Sequence, residues 1–133
     1  MPSKKSEKIT AKKKKILFIE DEPDQVLMIS MRLEKSGYDV VSSMDGEEGL
    51  KKAAQEKPDL ILLDMILPGM DGLEVCRLLK KDAATRHIPV ISTTAAGADD
   101  VEGMCMAAGA DACVRKPYDS ADLLAKIKHL ILK

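Results

Sequence analysis

The sequence has almost no aromatic side chains: one Phe, two Tyr and no Trp among 133 residues. Phe18, Tyr38 and Tyr118 are too few to build a base-stacking platform or an aromatic ligand cage. Cys76, Cys105 and Cys113 are odd in number and none stand at C-x-x-C spacing. That argues against a disulfide framework and a zinc site, and makes a reducing cytoplasm the expected compartment. No apolar run approaches the roughly 18 residues of a membrane span, and no signal-peptide core follows the N-terminus, so no membrane insertion is expected. Neither sign of charge dominates, the formal net charge being −1. What remains is a chain 45% hydrophobic and 32% charged, of one-domain length, which reads as soluble and globular.

The small net charge hides a split. Residues 1–15 carry seven lysines against Glu7, a local charge of +6, and the rest of the chain carries −7. A block of like charge with almost no apolar content cannot bury enough surface to fold, so residues 1–14 are expected to form a disordered basic tail before a single domain over 15–133. The tail has neither aromatics, a recognition motif nor an amphipathic stripe, and no direct nucleic-acid binding is expected of it.

From Lys15 onward, apolar runs alternate with helical patterns. Ile16–Ile19 reads as a buried strand, Asp24 as the N-cap of a helix ending at Ser36-Gly37, and Tyr38–Ser42 as a second strand. Asp45-Gly46 opens a helix running to about Gln55, which Pro58 stops. Leu60–Leu63 is a third strand, and the loop with Pro68, Gly69 and Gly72 leads to a helix holding Leu73, Cys76 and Leu79. Ile88–Thr94, a helix over Asp99–Ala108, Ala112–Arg115 and a last helix with Leu123, Ile127 and Leu130 complete five strand–helix units. Strands apolar on both faces and alternating with helices predict an α/β fold: a doubly wound parallel sheet in a three-layer sandwich. Such a sheet binds ligands beyond the carboxyl ends of its strands.

Those ends carry chemistry. The first strand runs into Glu20-Asp21-Glu22, the third into Asp64, the fourth into Thr93-Thr94 and the fifth into Arg115-Lys116-Pro117. Taken singly, acids after a strand are often only solvated and a terminal Thr is often a cap; four such groups at one edge are harder to dismiss. Glu20, Asp21 and Asp64 together would carry three negative charges, a repulsion that a hard divalent cation such as Mg²⁺ relieves, with Lys116 completing neutralisation. The pocket is then ready to admit an anion.

With these residues in place, the sequence resembles the response-regulator receiver domains of two-component signalling over essentially all of residues 15–133. Asp64-Met65-Ile66-Leu67-Pro68-Gly69-Met70-Asp71-Gly72 is similar to the family's D-x-x-L-P-x-M-D-G run. Ile19–Asp24, Ile88–Ile91 with Thr94-Ala95, and Gly109-Ala110-Asp111 with Lys116-Pro117 match further family segments in order. The resemblance implies a flavodoxin-like sheet of strand order 2-1-3-4-5 with five helices. It implies Asp64 as phosphoryl acceptor, with Asp21, Asp64 and the backbone carbonyl of Ile66 as direct Mg²⁺ ligands and Glu20 acting through a metal-bound water. It further implies Lys116 as the partner of the phosphoryl oxygens, Thr94 as the switch hydroxyl, and a cis bond before Pro117. The implied partners are a sensor histidine kinase or histidine phosphotransfer protein and a downstream protein target, reached through a face over about residues 99–132. No output domain follows within this sequence, and no turnover of an external substrate is expected.

The sequence departs from the family pattern at four positions. Glu20 stands where the family often has Asp, and its extra methylene suits the water-bridged role. Cys113 stands where the family usually has Tyr or Phe, and reads as an inert, small buried thiol rather than a redox sensor, since the sequence shows no activated context for it. Ile66 and Ala96 occupy positions that help orient hydrolytic water, so a long-lived phosphoryl group is expected. Met104, Cys105 and Met106 read as ordinary helix and core positions, or else as a soft adaptable surface. Two other readings stay open: a phosphate-independent interaction module, and the receiver segment of a larger regulator. A Mg²⁺-dependent phosphohydrolase would need a cap domain and a second acid two residues beyond the nucleophile, where this chain has Ile66.

Overall fold

The computed structural model describes residues 13–67, 69–94, 101–116 and 119–132. Strands β1 (Lys15–Ile19), β2 (Asp39–Ser43), β3 (Leu60–Asp64), β4 (Val90–Thr94) and β5 (Ala112–Arg115) alternate with helices α1 (Pro23–Lys35), α2 (Gly46–Glu56), α3 (Gly72–Lys81), α4 (Val101–Ala107) and α5 (Ser120–Leu132). All strand pairs are parallel and the order is β2-β1-β3-β4-β5, the doubly wound sheet expected. Within this sheet β3 and β4 are buried along their whole length, which is why Leu60–Leu63 is apolar without alternation.

The sheet separates two apolar layers. Leu17, Ile19, Ile61, Leu63 and Val90 face Val75, Cys76, Leu79 and Cys105 on one side. Ile16, Phe18, Leu60, Leu62, Ile91 and Val114 face Ile29, Leu33, Leu123 and Ile127 on the other. Each of the Val, Leu, Ile and Phe side chains among them contributes about 1.5–3 kcal/mol on burial. No helix among the described residues is long and apolar enough to cross a membrane.

Several local boundaries differ from the sequence reading. Asp24 is not the N-cap of α1. Glu22 takes that place in an extended conformation with no side-chain cap, because Pro23, with its fixed φ and missing N–H, suits the first helical position. Asp24 instead lies in the first turn, where its charge favours the helix dipole. Tyr38 precedes β2, and Ile88 belongs to a turn, its N–H donating to Thr85 O at 3.0 Å, so β4 begins at Val90. At the other end of the tail, Lys14 O accepts the Asp39 N–H at 2.9 Å. Two other boundary expectations hold. Asp45 caps α2 by accepting the Glu48 N–H at 2.8 Å, and Gly37 ends α1 with φ +96°. Residues 1–12, Pro68, Ala95 to Asp100 and Pro117-Tyr118 carry further readings, including Ala96 and the cis bond, and lie outside the described residues.

Candidate functional site

The carboxyl ends of β1, β3, β4 and β5 meet at one point of the sheet edge. Asp64 is the last residue of β3, only 6% exposed, and pairs in register with Thr93. Glu20 follows β1 and is fully buried, its backbone N–H donating to Ser43 O at 3.0 Å. Lys116 follows β5, and its N–H donates to Thr94 O at 2.7 Å. Its amine reaches across to Glu20 Oε1 at 3.0 Å and stands 3.6 Å from Asp64 Oδ1. The free oxygen of Glu20 accepts the Glu22 N–H at 3.3 Å. Beyond β3 the chain turns sharply, with the Ile66 N–H donating to Asp64 Oδ1 at 3.3 Å and the Gly72 N–H to Met65 O at 3.1 Å. Gly72 is required there, since a Cβ would stand 2.5 Å from Met65 Cα and 2.7 Å from Asp64 O.

Burial and the facing charges set the ionisation of this edge. Burial pushes the Glu20 carboxyl above its ordinary range; the Lys116 hydrogen bond offsets part of that, and the Asp64 charge adds to the rise. For Lys116 burial alone would pull the ammonium down. The Glu20 hydrogen bond and the charges of Asp64, Glu20 and Glu22 together outweigh it, and the net direction is up. Lys116 therefore stays cationic at neutral pH. One oxygen each from Glu20, Asp21 and Asp64 lie within 4.8 Å of one another. Three hard carboxylate donors gathered from the ends of β1 and β3 fit a hard divalent cation, and one amine cannot neutralise all three.

The structure thus brings together Glu20, Asp21, Asp64 and Lys116, with Ile66 in the adjoining loop and its side chain 70% exposed. Thr94 ends β4, buried, and in register with the exposed Arg115. Of the soft residues considered on α4, Cys105 is core while Met104 and Met106 are about half exposed, and Cys113, expected to be buried, is only partly buried on the edge strand β5. Sequence reasoning missed the direct Glu20–Lys116 bond, because nothing in two isolated residues 96 positions apart signals contact. It named Thr93 only as part of the strand's end and passed over Ser92, although a run of three polar residues closing a buried strand was a visible signal.

A doubly wound sheet with an acidic trio and a lysine at its carboxyl edge defines a class of small α/β domains with a cation-competent site at the switch of strand order. Within that class the chain matches the response regulator receiver domain over residues 16–128 and belongs to that family. It is 41% identical over 118 residues to the alkaline phosphatase synthesis transcriptional regulatory protein PhoP of Bacillus subtilis, covering 89% of this chain and 48% of that protein. The chain spans about half the length, or less, of the curated relatives compared with it. Among solved structures, it resembles a putative response regulator from Chloroflexus aurantiacus (TM-score 0.88, 27% identity, 92% of this chain and 100% of the other). It also resembles the receiver domain of a Pseudomonas aeruginosa sensor histidine kinase, in which a magnesium ion is coordinated in the active-site cleft (TM-score 0.85, 29% identity, 92% and 100%).

Proposed function

We propose that this chain is a phosphorylation-dependent signalling switch that accepts a phosphoryl group on Asp64. The observation that carries the reading is the Lys116 amine held between buried Glu20 and Asp64 at the end of β3, a cation placed where phosphoryl oxygens would arrive. In the transfer, an Asp64 carboxylate oxygen forms a bond to phosphorus as the phosphorus–nitrogen bond of a phosphohistidine breaks. The imidazole keeps the electron pair and takes up a proton. Phosphoryl transfer asks little beyond an aligned nucleophile and charge neutralisation. Lys116 supplies part of that charge, and the rigid strand end holds Asp64. Asp21, Asp64 and the backbone carbonyl of Ile66 would hold Mg²⁺ directly, with Glu20 behind a water. When bound, the ion neutralises charge on the transferring group.

Thr94 then serves as the switch hydroxyl, and the face over about residues 99–132 as the surface read by a downstream protein. The phosphoryl group comes from a histidine kinase or phosphotransfer protein in the cytoplasm, and no external substrate is turned over. A basic tail over 1–14 and a receiver over 15–133 complete the assignment. The test is intact-mass analysis after incubation with Mg²⁺ and acetyl phosphate, with Asp64→Asn alongside. One phosphoryl group on the wild type and none on the variant is the expected result. Addition to both would move the acceptor elsewhere, and addition to neither, in folded protein, would favour a phosphate-independent module.

A further inference from the structure

Two hydroxyls on β4, Ser92 Oγ and Thr93 Oγ1, are buried with no hydrogen-bond partner among the described residues. A hydroxyl hidden from water in this way is destabilising, so its retention asks for a reason. The two project to opposite faces of the sheet. Ser92 pairs in register with Leu63 and Cys113, on the face covered by α2, α3 and α4. Thr93 pairs with Asp64 on one side and Val114 on the other, on the face of Leu62, Ile91 and Val114 beneath α1 and α5.

Adjacent strands lie about 4.8 Å apart, so Thr93 is the immediate lateral neighbour of Asp64. In-register neighbours project to the same face of the sheet, so the hydroxyl and that carboxylate share one face, and a bond between them asks for the staggered χ1 that turns the hydroxyl to Asp64. Asp64 has Oδ1 engaged by the Ile66 N–H and faced by Lys116, leaving Oδ2 without a donor among the described residues. We infer that Thr93 is a positioning residue for Asp64: its hydroxyl donates to the carboxylate and fixes the plane in which one oxygen is presented to phosphorus. It keeps its proton throughout and acts only through Asp64. Thr94, one residue on, projects to the other face. The inference rests on the acceptor role proposed for Asp64.

The net worth of one neutral hydrogen bond converts to roughly 3- to 10-fold in rate. Initial rates of phosphoryl incorporation from acetyl phosphate with Mg²⁺, read by intact mass, would be compared for the wild type, Thr93→Val, Thr93→Ser and Ser92→Ala. Thermal midpoints would be taken for each. Thr93→Val keeps the shape of the side chain; it should fold, as its thermal midpoint will show, yet be phosphorylated 3- to 10-fold more slowly. Thr93→Ser should restore the rate, and Ser92→Ala should leave it unchanged. An unchanged rate in Thr93→Val overturns the inference, as does an equal slowing in Thr93→Ser or Ser92→Ala, which would mark general packing of β4. A wild type that takes no label on Asp64 overturns the acceptor reading itself, a result separable from the other two.

Discussion

The Glu20–Lys116 pair allows a quantitative test that needs neither metal nor phosphodonor. Lys116→Met keeps the stem and removes the charge, leaving a fully buried carboxyl without its 3.0 Å partner. An unpaired buried charge costs about 3–5 kcal/mol, but a carboxyl can escape by taking up a proton. At pH 7 that escape spans the 2.5 pH units above the ordinary value of 4.5, which caps the loss at about 3.4 kcal/mol. At about pH 5.5 the cap falls to about 1.4 kcal/mol. The sign follows from linkage. Burial and Asp64 already raise the Glu20 carboxyl, and Lys116 supplies its main lowering influences. An acid raised in the folded state favours folding at low pH, and that contribution is lost as pH rises from 4.5 toward the folded value. Removing Lys116 therefore deepens the loss toward neutral pH. The lysine side chain is 23% exposed, so solvent softens the effect to about 1–2.5 kcal/mol at pH 7. At about 3 °C per kcal/mol for this length, the midpoint drops by about 3–8 °C. Thermal unfolding followed by circular dichroism in EDTA, at both pH values, reads it directly. A deficit equal at the two pH values, or none at pH 7, refutes the reasoning.

Three further outcomes are expected. Gly72→Ala forces a Cβ against the Met65 and Asp64 backbone and should cost about 1–3 kcal/mol, read as a lower thermal midpoint; an unchanged midpoint would mean the loop has slack. Ile66→Asn places a polar group at the exposed position two residues beyond Asp64 and should shorten the life of the phosphorylated form, followed by mass after donor removal. An unaltered decay would remove that role for Ile66. Cys76 is buried in α3, and burial pushes its thiol up. It should resist iodoacetamide in the native protein at about pH 8 while labelling fully on denaturation, as peptide mapping would show; rapid native labelling would contradict its place in the core.

Most of the fold was legible because its signals are local. An unbroken apolar run such as Leu60–Leu63 needs a sheet covered on both faces, and Asp45, Gly37 and Pro58 punctuate the elements between. Boundaries were lost where two local rules compete: Asp24 is a good cap, but Pro23 claims the first helical position before it. The acidic trio was legible for a different reason. Asp64 ends β3 and Glu20-Asp21 directly follow β1, and parallel strands deliver their carboxyl ends to one edge. The Glu20–Lys116 bond and the burial of Glu20 depend on side-chain reach across β1, β3 and β5, which no periodicity encodes. The unpartnered Ser92 and Thr93 hydroxyls are a property of packing, and only their polarity could be seen beforehand.

The site is held together by backbone bonds as much as by its charges, and this bears on how a phosphoryl group could be sensed. The end of β4 is bonded on both sides: Thr93 O accepts the Met65 N–H at 3.0 Å, and Thr94 O accepts the Lys116 N–H at 2.7 Å. The residue after Asp64 and the lysine that faces it are therefore fixed to consecutive residues of one strand. A displacement of Thr94 moves the lysine backbone with it, and no long pathway is needed between β3 and β5. Under the role proposed for Asp64, phosphorylation replaces one charge by nearly two and adds strong acceptors in front of Lys116. The amine must then divide itself between the new oxygens and Glu20, to which it is bonded at 3.0 Å. Glu20 is buried and already raised, so whatever bonding it loses favours its protonation or a cation beside it. Under that role Glu20 and the phosphoryl oxygens compete for one lysine, while a divalent cation competes with the lysine for the acids. The loss of stability in Lys116→Met measures the lysine's hold on Glu20 and Asp64 together, with neither phosphoryl group nor cation present.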